Sequence, residues 1–147
     1  MIFVFYSPPI KPDPPAMLRV VEARKAVLVA EDEPQLLRLL TRLLERADYE
    51  VLVARDGNTA LEAFEAHRER IAIAVMDAAI APQGCGEILE RIGSESPEVG
   101  LVLISGDALD GELRTRMLVY DGIFVRKPFV PVALLQAIED SLVKESI

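Results

Sequence analysis

Acidic, hydroxyl and basic side chains stand directly after several short apolar runs in this sequence. Glu31 and Asp32 follow the first run, Asp77 follows the third, Ser105 ends the fourth, and Lys127 comes shortly after the fifth. Such runs are typical of parallel strands that are covered on both faces. Because the carboxyl ends of parallel strands lie along one edge of a sheet, we expect these five side chains to lie close together.

The expected cluster contains three carboxylates, which repel one another unless a divalent cation or a basic group compensates their charge. Oxygen ligands of this kind suit Mg²⁺. A lysine and a hydroxyl at the same point would supply a cation and a hydrogen-bond donor to a phosphoryl group. The residue types therefore predict a phosphoryl-transfer site that uses Mg²⁺.

Two periodicities alternate after Lys25 and predict the elements that must position these side chains. Short apolar runs predict five strands, over 26–30, 50–54, 71–76, 100–105 and 122–126. Five strands, each followed by a helix, predict an α/β fold with a doubly wound five-stranded parallel sheet of flavodoxin-like (βα)5 type.

Apolar residues at helical spacing predict the five helices. The first helix begins near Pro34 and should bury a leucine face, formed by Leu36, Leu39, Leu40, Leu43 and Leu44. Residues 56–58 are typical of a turn, and the second helix follows through Leu61 and Phe64. Residues 77–86 are typical of a loop, and 87–92 of the third helix. The fourth helix is weakly patterned, with Leu109, Leu113 and Met117, whereas the last carries Val132, Leu135, Ile138 and Leu142.

Length and composition favour one acidic domain. The 147 residues, 51% of them hydrophobic, suffice for one core but hardly for two. A formal net charge of -8 disfavours nucleic acid and membrane surfaces as partners. The single cysteine, Cys85, suits a reducing compartment, so we expect a cytoplasmic protein. The proline-rich residues 1–25 are interpreted as a leader or linker, and 26–147 as the folded domain.

The five site residues, in this order, resemble the receiver domains of bacterial two-component response regulators, of the chemotaxis type or of hybrid kinases. The resemblance covers residues 26 to about 143. It implies that Asp77 accepts a phosphoryl group and binds Mg²⁺ together with Asp32. It also implies that Glu31 acts on the ion largely through water and that the backbone carbonyl of Ala79 completes the ligands.

The same resemblance gives roles to the residues of the later strands. Lys127, which stands in an Arg-Lys-Pro-Phe sequence, would pair with the acceptor, and its peptide bond to Pro128 would be cis. Ser105 would be the switch hydroxyl that turns toward the phosphoryl group, and Phe124 the aromatic switch residue. Asp107 and the residue two past the acceptor would flank the path of the hydrolytic water.

Two departures from the family pattern stand out. The proline and glycine that usually follow the acceptor by four and eight residues are replaced by Ala81 and Cys85, with Pro82 and Gly86 one place later. A one-residue insertion is the simplest account. The segment before Phe124 is also shorter than the common form, which leaves the position and order of the fourth helix open.

The resemblance implies a signalling switch phosphorylated by a histidine kinase or a phosphotransfer protein. Such a domain catalyses its own phosphorylation and dephosphorylation without being a dedicated enzyme. His67, the only histidine, is interpreted as solvated helix surface, so the donor histidine must come from another protein. Because the chain ends soon after Val143, we expect output by contact with a downstream protein or by a homodimer through the fourth helix, fifth strand and fifth helix.

Three alternatives bear on this interpretation. A haloacid-dehalogenase phosphatase needs a second aspartate two residues after the nucleophile, where Ala79 stands. A nucleotide-binding module would need a glycine-rich loop after the first strand, whereas the acidic residues 31–33 would repel phosphate. A degenerate receiver that binds a partner without phosphorylation stays open, because the loop after Asp77 is altered.

Overall fold

A computed structural model of the protein describes residues 25–80 and 84–143. Residues 1–24 of the expected leader, together with Ala81 and Pro82 of the altered loop, lie outside the described residues. Strands and helices alternate throughout the described ranges. They are β1 (Ala26–Ala30), α1 (Pro34–Arg46), β2 (Glu50–Ala54), α2 (Gly57–His67), β3 (Ile71–Asp77), α3 (Cys85–Glu95), β4 (Gly100–Ser105), α4 (Gly111–Val119), β5 (Ile123–Arg126) and α5 (Pro131–Leu142).

The strands form one parallel sheet in the order β2-β1-β3-β4-β5. The chain therefore moves from β1 outward to β2, returns across β1 to β3, and continues outward to β5. This order reverses direction beside β1 and β3, which is the switch point where ligands bind in such sheets. The predicted doubly wound, flavodoxin-like fold is confirmed.

Helices cover both faces of the sheet, which explains why the central strands are apolar throughout. Every residue of β1, β3 and β4 is buried. One core layer packs α1 and α5 against the sheet, with Leu40, Leu44, Leu134 and Ile138 among its members. The other layer holds α2, α3 and α4 and includes Phe64, Ile88, Leu89, Ile92 and Met117.

Several element boundaries differ from those predicted. Residues 56–58 do not form a separate turn, because Asp56 caps α2 by accepting a hydrogen bond from the Thr59 amide at 2.7 Å. α3 begins at Cys85 rather than at residue 87, so Cys85 is a buried helical residue and not part of a loop.

The fourth helix, whose position and order the sequence left open, is a regular α-helix over Gly111–Val119. Asp110 caps α4 by accepting a hydrogen bond from the Leu113 amide at 2.8 Å. Leu109 precedes this helix, although its apolar side chain packs against the core beside Leu113. β5 begins at Ile123, one residue later than predicted.

No helix in the described ranges is long and apolar enough to cross a membrane.

The leucine face of α1 gives a direct test of the packing. Leu40 is 0% exposed and its neighbour Leu39, which the pattern also predicted to be buried, is 40% exposed. We expect Leu40→Ala to lower the free energy of unfolding by about 2–5 kcal/mol, because it leaves a cavity in the core. Leu39→Ala should cost well under half of that. Urea unfolding of both variants measures the difference, and equal losses would contradict the observed orientation of α1.

Candidate functional site

The strand register brings the predicted site residues to one edge of the sheet. Ala30, the residue before Glu31, pairs with Met76, the residue before Asp77. Asp77 pairs in turn with Ile104. The ladder between β4 and β5 continues one residue past the end of β5, where the Lys127 amide donates to the Ser105 carbonyl at 2.8 Å. The backbone hydrogen bonds of the sheet therefore determine where the site residues lie, independently of their side-chain contacts.

Asp77 is the centre of this edge. Its side chain is buried, and the whole residue is 8% exposed. One carboxylate oxygen, Oδ1, accepts a hydrogen bond from the Ala79 amide at 2.8 Å, and the other, Oδ2, accepts one from the Lys127 ammonium at 2.7 Å. A buried carboxylate with a donor on each oxygen is fixed in orientation and keeps its charge.

The ionisation of Asp77 and Lys127 is set by their contact. Burial alone would raise the pKa of Asp77, but the Lys127 ammonium and the Ala79 amide outweigh it, so that its pKa lies below the usual value. Burial disfavours the charge of Lys127 as well, but the hydrogen bond to Asp77 raises the pKa of Lys127 above its usual value. Both groups are therefore charged at neutral pH.

Glu31 is the most deeply buried acid of the site, with 1% exposure. Its Oε2 accepts hydrogen bonds from the amides of Asp32 at 3.1 Å and Glu33 at 3.0 Å. Its Oε1 is buried without a hydrogen-bond partner. Burial, followed by the neighbouring Asp77 carboxylate, raises the pKa of Glu31 to about 7 despite the Glu33 amide. The pocket therefore favours an added positive charge, either a proton or a cation.

This chemistry fits a hard divalent cation. The donors at the edge are carboxylate oxygens, the ligands that Mg²⁺ prefers, and the unpaired Oε1 of Glu31 is a buried polar atom that lacks a donor. The side chains of Asp32 and Asp77 differ in burial, since Asp32 is exposed and Asp77 is buried. Among the described residues, no three acidic, histidine or cysteine side chains are close enough together to hold a metal ion, so an ion at this edge would take no more than two of its carboxylates as direct ligands.

Ser105 is engaged by the loop that follows β4 and not by Asp77. Its hydroxyl donates to the Asp107 carbonyl at 2.9 Å and accepts from the Asp107 amide at 3.1 Å. The residue itself is buried at 7% exposure, whereas Asp107 is exposed. The hydroxyl therefore stands at the edge predicted for it, but it stabilises a turn in this conformation.

Phe124 lies on the outer strand, 39% exposed. It borders a groove of about 380 Å³ between β5 and α4, together with Leu109, Met117 and Leu118.

The expected cis peptide bond between Lys127 and Pro128 is present.

Two residues that the sequence had set aside have defined surroundings. His67 is half-buried rather than fully solvated, and its Nδ1 lies 3.3 Å from Arg70 Nη1 at the amino-terminal edge of the sheet, away from Asp77. Cys85, at the start of α3, is near enough to Asp77 that the aspartate charge adds to burial in raising the pKa of the thiol to about 12. A protonated, buried thiol is unreactive. No motif in the sequence signalled this proximity.

Comparison with known proteins agrees with this geometry. The structure is similar to that of a CheY-like response regulator receiver domain protein from Methanospirillum hungatei, with a TM-score of 0.71 and 26% identity over 80% of this chain and 93% of that one. A CheX-CheY-BeF3-Mg complex from Borrelia burgdorferi gives a TM-score of 0.72 at 21% identity, covering 81% and 90%. The latter identity supports the fold alone.

Sequence comparison points to the same family. The chain is 25% identical over 118 residues to the response regulator GtcR of Aneurinibacillus migulanus, covering 80% of this chain and 48% of that protein. It thus spans about half the length of this curated relative. The family model for the response regulator receiver domain matches residues 27–139. Together with the sheet order and the acidic edge, this match shows that the protein belongs to the response regulator receiver domain family.

Proposed function

We propose that this receiver domain is a phosphorylation-dependent signalling switch and that Asp77 is its phosphoryl acceptor. The observation that carries the proposal is the buried Asp77 carboxylate, held between the Lys127 ammonium and the Ala79 amide. A carboxylate that stays ionised, points in a fixed direction and lies beside a permanent cation is suited to attack phosphorus.

The donor is a phosphohistidine of a histidine kinase or phosphotransfer protein. A carboxylate oxygen of Asp77 forms the new bond to phosphorus as the bond from phosphorus to the donor nitrogen breaks. The donor imidazole leaves with the bonding electron pair and takes up a proton. Lys127 offsets the negative charge on the phosphoryl oxygens, since its ammonium already lies 2.7 Å from Asp77 Oδ2.

Asp32, Asp77 and the Ala79 carbonyl would hold Mg²⁺ directly, and Glu31 would act on it largely through water. When bound, the ion supplies positive charge to the transferring phosphoryl group. The raised pKa of Glu31 and its unpaired oxygen support this assignment, because both indicate excess negative charge in the pocket. The Borrelia burgdorferi complex named above contains Mg²⁺ and a beryllofluoride group.

Switching begins at Ser105. To reach a phosphoryl group on Asp77, its hydroxyl must leave both hydrogen bonds to Asp107. The bond gained in the phosphorylated state is the differential contact that shifts the conformational equilibrium. Phe124 then turns inward, which changes the surface of α4, β5 and α5. Ala79 has no polar side chain to orient a hydrolytic water, so we expect slow autodephosphorylation.

Output is by protein contact in the cytoplasm, either with a downstream target or in a homodimer through the α4, β5 and α5 face. Support comes from the apolar side chains exposed on that face, Leu118, Val119 and Phe124. The acidic charge of the chain argues against nucleic acid and membrane surfaces as partners. The receiver domain occupies residues 26–147 in this proposal, with 1–25 as a leader or linker.

The acceptor assignment is tested with acetyl phosphate and Mg²⁺, followed by intact-mass measurement. The unmodified sequence should gain the mass of one phosphoryl group, and Asp77→Asn should gain none, because the amide is not nucleophilic. Asp48→Asn is the control, since it removes an exposed aspartate far from the site. If the chain gains no phosphoryl group, it is a degenerate receiver; if Asp77→Asn still gains one, the acceptor is another residue.

The metal assignment is tested by calorimetric titration with Mg²⁺. We expect Asp32→Asn to weaken binding by at least about tenfold, the loss that even a supporting group near a metal can cause. Glu45→Gln, on the surface of α1, serves as the control for removal of one negative charge. Equal Mg²⁺ affinity in the Asp32 variant and the unmodified sequence would rule out Asp32 as a ligand.

A further inference from the structure

The fourth helix, α4, rests on a stripe of α3 that is unusually open. Gly86, Glu90 and Gly93 are spaced by four and three residues, so they lie on one face of α3. The side chains of Arg116, in the last turn of α4, and Tyr120, at its C-cap, lie against this stripe. The contact between the two helices therefore consists of two glycines of α3, with Glu90 between them, and these two side chains.

Glu90 joins the two helices through both of its oxygens. Oε2 accepts a hydrogen bond from the Tyr120 hydroxyl at 2.5 Å, and Oε1 lies 3.8 Å from Arg116 Nε. The hydrogen bond to Glu90 also raises the pKa of Tyr120. Arg116 pairs in addition with Glu112 at 3.0 Å, but that contact lies within α4 and ties nothing to α3.

The glycine at position 93 is explained by this contact. No glycine in the described ranges has a positive φ, so the backbone does not require glycine here. A Cβ atom at Gly93 would instead lie 2.5 Å from Tyr120 Cδ1, which is too close for any side chain. A Cβ at Gly86 would collide with the guanidinium of Arg116. Both glycines thus let α4 side chains lie against the α3 backbone.

Apart from this contact, α4 is weakly anchored. Met117 is its only buried residue, and Leu118 and Val119 are 77% and 66% exposed. The amino-terminal end of α4 follows the loop of Asp107, which the Ser105 hydroxyl holds. The helix is therefore tied at one end to the switch hydroxyl and at the other end to α3.

We propose that Glu90 and Tyr120 form a latch that holds the carboxyl-terminal end of α4 on α3 and opposes the movement of α4 when Asp77 is phosphorylated. The inference rests on the proposed function, because the movement begins when Ser105 releases Asp107. A contact present only in the unmodified conformation stabilises that conformation. Releasing the latch therefore lowers the free energy needed to shift α4 by the free energy that the latch contributes to the unmodified conformation.

Amide hydrogen exchange of the full chain tests the latch without any phosphorylation. Tyr120→Phe and Glu90→Ala should each speed exchange in α4 about twofold to fivefold, the effect of losing one exposed hydrogen bond. Tyr49→Phe and Glu45→Ala are the matched controls and should not, since Tyr49 and Glu45 lie in the opposite helical layer. Gly93→Ala should act like Tyr120→Phe, although alanine is the better helix former, whereas Gly111→Ala, which meets no neighbouring atom, should not.

A second readout adds beryllofluoride and Mg²⁺ in increasing amounts. The latch variants should reach half of their full change in α4 exchange at a concentration lower by a factor comparable to the increase in exchange rate. Exchange in α4 that is no faster in Tyr120→Phe than in Tyr49→Phe would overturn the latch. Faster exchange with an unchanged beryllofluoride midpoint would overturn its regulatory role. A chain that shows no response to beryllofluoride anywhere would instead contradict the proposed phosphorylation switch, whatever the first readout gives.

Discussion

The ion pair between Lys127 and Asp77 is the contact on which the site depends. The two side chains come from positions 50 residues apart and meet at 2.7 Å, next to the buried carboxyl of Glu31. Without the ammonium, two buried acids would face each other uncompensated, which is costly in a protein interior. The fold must therefore bring the end of β5 to the end of β3, and β4 lies between them in the sheet.

Rigid and loosely held parts of the domain have separate roles in this arrangement. The strands that carry Asp77 and Ser105 are buried along their whole length between two helical layers, so the acceptor is held in one orientation. α4 buries only Met117 and depends on polar contacts at its two ends. A domain built this way can keep its chemistry fixed while a small change in one hydroxyl alters its surface.

The sequence predicted the sheet and the edge that holds the site because both depend on local patterns. Fully apolar runs indicate buried parallel strands, and the residue after each run must lie at the edge. Contacts that depend on distances between elements could not be predicted. The spacing of the α1 leucines did not distinguish the exposed Leu39 from its buried neighbours. The glycine after Ser105 indicated a turn but not the hydrogen bonds between the Ser105 hydroxyl and Asp107. The helical spacing of Gly86, Glu90 and Gly93 did not indicate which residues of α4 would pack against them.

A crystal structure of the chain with beryllofluoride and Mg²⁺ would test whether Asp77 is the phosphoryl acceptor. We expect beryllium bonded to a carboxylate oxygen of Asp77, the Lys127 ammonium in contact with fluoride, and Mg²⁺ beside Asp32 and Asp77. We also expect the Ser105 hydroxyl to have left Asp107 and to face fluoride. Beryllofluoride bound elsewhere, or an Asp77 that keeps only its contacts to Lys127 and Ala79 at saturating beryllofluoride, would contradict the assignment of Asp77 as the phosphoryl acceptor.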